Sequence, residues 1–382
     1  MSPLLSGWVL VLLVYVGSLF LHVVLPARTV TGYCCDNATF QPLRYRLNGA
    51  AVLVVVAALF VTALPSPAQA SLHEDMVPAL FFANAVGLSL SLFFFLRGGR
   101  EKYARCVTVD QLKDPSALRL AGPPPSAAAT FFLGREWNPR VGAVDIKMFL
   151  YVVGAVLLQC NLFAAVRFQQ GRQSDVSIAM SVYVSCFTFF LVEYMCGEAV
   201  HLYTYDLFAE KIGFKLVWGC LVFYPFFYPI GSIPLARATR DISPATAIAI
   251  TALYFAGWVV TRGANLQKYF FRTNPASTAC FGGLVVQRVV PGTRLLVSGF
   301  WGAARHLNYF GEIVQAIAMA LPGTLVADSW TDAMLPWLYP LYYVVLFVTR
   351  QIDDDAVCAL KYGAMWDEYC KQVPSRIVPG LY

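Results

Sequence analysis

The sequence predicts an all-α fold, a polytopic transmembrane helix bundle of about nine to ten spans. Three observations point there. The 382 residues are 58% hydrophobic and only 13% charged, with a mean hydropathy of +0.60, whereas soluble domains carry about 25% charged residues. The apolar runs are far too long for barrel strands, and only helices or closed barrels satisfy the backbone in lipid. The basic residues collect in alternate loops, as membrane topology requires. The net charge of +6 comes without a basic tail or Arg-rich tract. It reads as attraction to an anionic leaflet and excludes a nucleic-acid binder.

The spans follow in order from apolar run length. The first four lie near residues 8–25, 50–64, 77–96 and 148–165. The next three lie near 178–192, 216–230 and 245–260, and the last two near 313–326 and 335–348. Several are short, so one is open to being re-entrant. The first run lacks a basic n-region and a cleavage site, so it is expected to stay as a span. The segment after the third span carries Arg97, Arg100, Lys102, Arg105, Arg135, Arg140 and Lys147 and is expected in the cytosol. The loop before it, with His73, Glu74 and Asp75, is expected in the lumen. Alternation then makes the N-terminus lumenal. It puts Arg28, Arg44 and Arg46, the segment 262–305 and the C-terminus from Arg350 onward in the cytosol. Two lumenal Arg pairs, Arg167 with Arg172 and Arg237 with Arg240, are the exceptions. Residues 108–129, with Pro123-Pro124-Pro125, read as a loose loop. Asn37-Ala38-Thr39 is a formal glycosylation acceptor that this topology leaves unused. No internal repeat is visible, so residues 1–382 are expected to form one domain. Within it, 1–261 would be the bundle with its loop 97–147, and 262–382 a functional subregion.

The ten cysteines contain no CxxC pair, which indicates neither a zinc ribbon nor a disulfide framework. His22, His73, His201 and His306 are far apart, so no metal site is expected.

Three clusters carry chemistry. Gly263–Arg272 places Lys268 and Arg272 four apart, on one face of a helix. Two cations at a membrane exit suit a phosphate, although the same pair serves as a plain anchor. The stretch LLVSGFWGAARHLNYFGE (295–312) packs Trp301, Arg305, His306, Asn308 and Tyr309 into nine residues. That mixture supplies cation, hydrogen-bond and stacking groups. Residues 350–369 follow the last span, and helical spacing predicts Asp354, Cys358, Lys361 or Tyr362, and Tyr369 on one face. An amphipathic helix docked on the bundle accounts for Trp366 and Tyr369 as well, but less well for Arg350 and Asp354.

With these motifs, LLVSGFWGAARHLNYFGE, DDDAVCALKYGAMWDEYCKQVPSRIVPGLY and GANLQKYFFRTNP, the chain resembles the sterol reductases acting on ring double bonds. That group includes sterol C14-reductase, 7-dehydrocholesterol reductase and the lamin B receptor. Weaker echoes are Tyr45–Gly49 and FLGREWNPRVGAVDIK (132–147). The resemblance implies an endoplasmic-reticulum membrane enzyme that reduces a sterol C=C with NADPH in sterol biosynthesis. It also implies a C-terminal nucleotide pocket facing the cytosol. Carried over by matching position, the NADPH contacts are Lys268, Arg272, Leu296, Trp301, Asn308, Tyr309, Arg350, Asp354, Cys358, Lys361, Tyr362 and Tyr369. Lys268 and Arg272 would hold phosphates, and Trp301 would stack on a planar ring. The implied partners are the sterol, the bilayer and other sterol-pathway enzymes, with no metal and no nucleic acid.

The chain departs from the family pattern at several positions. Phe300-Trp301 stands where Trp-Trp is common, and Leu307 and Glu312 where Pro and Asp are. Asp353-Asp354 replaces an Arg-Asp pair, Phe190-Leu191-Val192-Glu193 a Tyr-x-x-Asp, and Ala209 and Glu210 a His and an Asp. An isolated alkene must be protonated before hydride can add, so an acid with a raised pKa is needed in an apolar setting. Intramembrane ionisable groups are the default, and here they are Glu193, Glu198, Asp206, Glu210 and His306. Asp206 and Glu210 are four apart and would share a helix face. A solvated loop accounts for these carboxylates equally well.

YRLNG, GANLQK and FRTNP lean toward C14=C15 as the bond reduced, and Phe300-Trp301 toward C7; a C24 reductase is a third option. A methyltransferase of the isoprenylcysteine type would use S-adenosylmethionine and has no need of Lys268 and Arg272. A non-catalytic sterol-binding paralogue is the remaining alternative. With the first span starting near residue 8, a lamin or chromatin role is not expected.

Overall fold

The computed structural model describes every residue except 1–4, 100, 101, 104, 114–119, 123, 124, 174 and 275. Arg100, Pro123 and Pro124, used above for topology and for the expected loop, therefore lie outside the described residues. All nine apolar runs become helical. Among the described residues, eight helices are long and apolar enough to cross a bilayer, and a bent pair makes up to nine. The Cα packing separates two compact units, Met1–Arg237 and Ala238–Tyr382.

The first unit contains α1 (Gly7–Val24), α2 (Gly49–Thr62), α3 (Ser66–Glu74), α4 (Met76–Arg97), α5 (Ile146–Arg172), α6 (Ile178–Cys196) and α7 (Phe214–Arg237). Helix α5 is its axis. Its sequence is apolar on every side, and 78% of its spanning window is buried inside the protein, as expected of a helix without a polar face. Helices α1, α2, α3, α6 and α7 all pack on it.

Polar groups in this unit repair breaks in the backbone ladders. Helices α2 and α3 meet at 111°. At the elbow Gln69 Nε2 donates to the Val61 and Leu64 carbonyls at 3.0 and 2.7 Å. Arg167 Nε donates to Gln69 Oε1 at 2.7 Å, so one cation that breaks the loop-charge rule serves this bend. Helix α7 contains a π turn, Gly219–Phe223, and a 3-10 turn, Tyr228–Gly231. Pro229 has no N–H to offer the Pro225 carbonyl, and Asn161 Nδ2 donates to that carbonyl instead at 2.8 Å.

Two expectations need correction here, for residues 108–129 and for Lys147, and the first loop adds an element. It holds an antiparallel hairpin, β1 (Arg28–Cys35) and β2 (Pro42–Leu47), turned by Asp36 Oδ1, which accepts the N–H groups of Ala38 and Thr39 at 3.0 and 2.7 Å. The segment 108–129 contains helical turns among its described residues, at Val109–Lys113 and from Ala127 in Ala127–Leu133. Lys147 is not a loop cation. It opens α5 fully buried and donates to the carbonyls of Asp206, Leu207 and Glu210 at 3.2, 2.9 and 2.7 Å.

The second unit contains α8 (Pro244–Thr273), α9 (Leu307–Val326), α10 (Trp330–Tyr362) and α11 (Ala364–Gln372). Helices α8 and α9 cross through Gly257 and Gly311. A Cβ on Gly311 would lie 2.6 Å from the Gly257 carbonyl oxygen, so the two backbones need both glycines to approach. Helices α8 and α10 run well past their apolar stretches. Lys268, Arg272, Arg350, Asp354, Cys358, Lys361 and Tyr362 therefore sit on helix ends, not in loops.

Candidate functional site

In the second unit the structure brings much of the 263–369 set together. Lys268 lies within electrostatic reach of Arg272, Asp354, Cys358 and Lys361, which joins the end of α8 to the end of α10. Arg272 is one turn beyond Lys268, and Arg350 one turn before Asp354. The Lys268 ammonium sits 4.2 Å above the Trp301 ring, and Lys361 lies 4.7 Å over the Tyr362 ring. Trp301 and Leu296 are buried against Ala264, and the indole N–H donates to the Ala264 carbonyl at 2.8 Å. Trp301 is only 6% exposed. Its N–H and one face are already engaged, so it seats Lys268.

A residue absent from the sequence expectations builds this seat. Gln267, fully buried on α8, accepts the Phe300 N–H at 3.0 Å and donates to the Ser298 carbonyl at 3.0 Å. Gly299, at φ 62°, lies between them, and a Cβ there would meet the Gln267 amide at 2.9 Å. Asn308 is held through its carbonyl, which accepts from Thr261 Oγ1 at 2.7 Å; its side-chain Oδ1 is buried and accepts no hydrogen bond. Tyr309 is stacked between His306 and Phe347, at ring separations of 5.0 and 4.4 Å.

Tyr369 joins the cluster by a different route from the one predicted. Helix α10 ends at Tyr362, Gly363 turns the chain at φ 53°, and α11 starts at Ala364. Tyr369 therefore shares no helix face with Asp354 and Cys358. Tertiary packing brings it to them, in a buried group with Trp366 and Val290 against which Cys358 and Tyr362 pack.

The five acid candidates separate clearly. Glu210 is paired with Lys215 at 2.6 Å. The helical turn that carries Asp206 ends at Phe208, so Asp206 and Glu210 do not share the expected face. Glu193 is half-buried near the end of α6. His306 is buried beside Lys268 and Arg305; burial first, and those cations second, push its pKa down to about 3, which disfavours the imidazolium that would serve as an acid. Glu198 differs from all of these. Only 5% exposed, it starts the short helix Glu198–His201. Its Oε2 accepts the Gly49 N–H at 2.9 Å, and its buried Oε1 has no hydrogen-bond partner. Burial raises its pKa to about 7, with the Gly49 N–H opposing. A solvated loop does not describe Glu198.

Among the described residues no group of three or more His, Cys, Asp or Glu is placed to hold a metal ion. The groups gathered in the second unit are of the kinds that bind phosphates, hydroxyls and amides. They offer cations for phosphates, an acid for a hydroxyl, and the unengaged Asn308 Oδ1 as an acceptor for an amide or hydroxyl hydrogen.

Comparison with known proteins adds the rest. A family model described as the ergosterol biosynthesis ERG4/ERG24 family matches residues 3–382. Across 96% of its length the chain is 32% identical to a protein of Methylotuvimicrobium alcaliphilum named Delta(14)-sterol reductase, spanning 81% of that protein. It is 32% identical, over its full length, to 87% of a Delta(14)-sterol reductase of Mus musculus. It is 30% identical, over 89% of its length, to 77% of one from Schizosaccharomyces pombe.

Proposed function

We propose that this chain, which belongs to the ergosterol biosynthesis ERG4/ERG24 family, reduces the C14=C15 double bond of a sterol with NADPH. The three relatives above carry the C14 name, which supports that bond over C7 or C24. The cofactor reading is carried by one observation, the convergence of Lys268, Arg272, Asp354, Cys358 and Lys361. In this reading Lys268 and Arg272 hold phosphate oxygens, with the Trp301 face keeping Lys268 in place. Asp354 accepts from a hydroxyl, and Asn308 Oδ1 accepts from the carboxamide or a ribose. Cys358, Tyr362 and Tyr369 form an apolar wall, while Leu296, Tyr309, Arg350 and Lys361 complete the surround. Bound there, NADPH would supply a hydride.

Glu198 is the candidate whose own setting within the first unit suits a proton donor. A carboxyl that is protonated near neutral pH and buried in apolar surroundings can protonate an alkene carbon to leave a tertiary cation on the sterol. The Gly49 N–H fixes one oxygen and so leaves Oε1 as the atom that carries and delivers the proton. Glu193, Asp206, Glu210 and His306 are not needed for this step. We place the enzyme in the endoplasmic-reticulum membrane with its C-terminus in the cytosol, where NADPH is available.

Complementation tests the bond assignment. Expressed in cells lacking C14 reduction, the chain should clear the accumulated C14-unsaturated sterols, read by mass spectrometry. Clearance only in cells lacking C7 reduction would overturn it. For the cofactor, Lys268→Ala and Arg272→Ala should each raise the NADPH KM, and unchanged values would remove the phosphate role.

A further inference from the structure

Tyr369 reaches the nucleotide surround only because α11 folds back on α10 at Gly363, a position with φ 53° that leaves the joint free to take other angles. The packing of Trp366, Tyr369 and Val290 helps to fix that angle, and one buried cation adds to it. Arg305 spans the joint. Its guanidinium is buried, at 7% exposure. Nη1 lies 3.4 Å from Asp355 Oδ2 on α10 and 2.9 Å from Cys370 Sγ on α11. Nη2 donates to the Pro374 carbonyl at 3.4 Å, and the guanidinium carbon is 5.8 Å from the Trp366 ring centre.

The backbone on either side is laced to the same tail. The Arg305 N–H donates to the Ser375 carbonyl at 3.0 Å, and the His306 N–H to the Arg376 carbonyl at 2.8 Å. Asp355 is in turn held on the same oxygen by Gln351 Nε2 at 2.6 Å and by Arg376 Nε at 3.7 Å. Neighbouring carboxylates thus divide their work: Asp354 lies within electrostatic reach of Lys268, and Asp355 pairs with Arg305.

We infer that Arg305 and Asp355 are positioning residues that lock the Gly363 joint and so set Tyr369 against Cys358 and Tyr362 in the nucleotide surround. The inference rests on the nucleotide reading above. An arginine is required because one planar fork must serve two helices at once; a lysine has a single point of charge and reaches one of them.

The test is steady-state kinetics on the purified full chain, varying NADPH and sterol separately. Arg305→Gln should raise the NADPH KM by about ten-fold, the scale of a lost charge-assisted hydrogen bond, with the sterol KM and the kcat at saturating NADPH held. Arg305→Lys should fall between the two. Asp355→Asn should raise the NADPH KM likewise, and adding it to Arg305→Gln should do little more, because both act on one joint. Equal loss of kcat and of both affinities, or an unchanged NADPH KM in folded protein, would overturn the inference. Should Arg305→Gln fail to fold, Cys370→Ala removes only the α11 end of the bridge and decides alone. A smaller rise confined to NADPH supports the lock, and none refutes it. Wild-type protein that does not bind NADPH would instead sink the nucleotide reading.

Discussion

At the scale of single residues, Glu198 owes its chemistry to Gly49 as much as to itself. A Cβ at residue 49 would stand 2.8 Å from Glu198 Oε1 and from Met195 Sδ, and 2.9 Å from Val152. Gly49→Ala is therefore expected to displace the carboxyl and lower turnover in a protein that still folds, measured as kcat beside a circular-dichroism spectrum. Glu198→Gln keeps the shape and removes the proton. It should lower kcat by about 10²- to 10⁴-fold, the usual worth of a general acid, with NADPH affinity unchanged. Full turnover in that variant would place the acid elsewhere. The pH dependence follows from the same group. Its pKa is raised to about 7, so the protonated form dominates below that pH, and kcat/KM should fall as pH rises through about 7. Glu198→Gln should flatten that limb. Sequence reasoning had Glu198 among five candidates and could not separate it, because a buried amide partner 149 positions away leaves no local trace.

At the scale of elements, the spans were legible and their ends were not. Nine apolar runs announced nine helical stretches because burial in lipid demands long uninterrupted apolarity. The hairpin of β1 and β2 had a signal, the alternation Leu43-Arg44-Tyr45-Arg46-Leu47 in β2, but its arginines also satisfy the charge rule for a cytosolic loop. The break at Gly363 had a signal, a glycine just after Lys361 and Tyr362, which is a common helix stop; reading through it put Tyr369 on the wrong helix. The α8–α9 crossing depends on two glycines with no room beside them. Gly311→Ala forces a Cβ to within 2.6 Å of backbone on α8. It should cost about 1–3 kcal/mol, the range for overpacking a close-packed contact, seen as a lower midpoint of thermal unfolding in detergent. An unshifted midpoint would mean that the two helices slide apart without strain.

At the scale of the whole molecule, binding should show as stability. A ligand that binds only the folded state raises apparent stability by about 2.7 kcal/mol at a hundred times its Kd. NADPH is expected to shift thermal unfolding upward and S-adenosylmethionine to leave it unmoved; the reverse would return the chain to the methyltransferase alternative. The C-terminal cluster was largely legible because long motifs carry it, but its scaffolding was not. Gln267 behind Trp301 and Asp355 behind Asp354 are ordinary polar residues in sequence, and only the folded backbone shows what they hold.

The Lys147 ammonium described above has three hydrogens and meets three main-chain oxygens. Recognition of that kind is blind to side chains: the turn at 206–210 is gripped by what every amino acid has in common. At Ala209 this grip asks nothing of the side chain, whereas Glu210 also answers through its carboxylate to Lys215. The turn keeps its shape so long as the one amine beneath it stays.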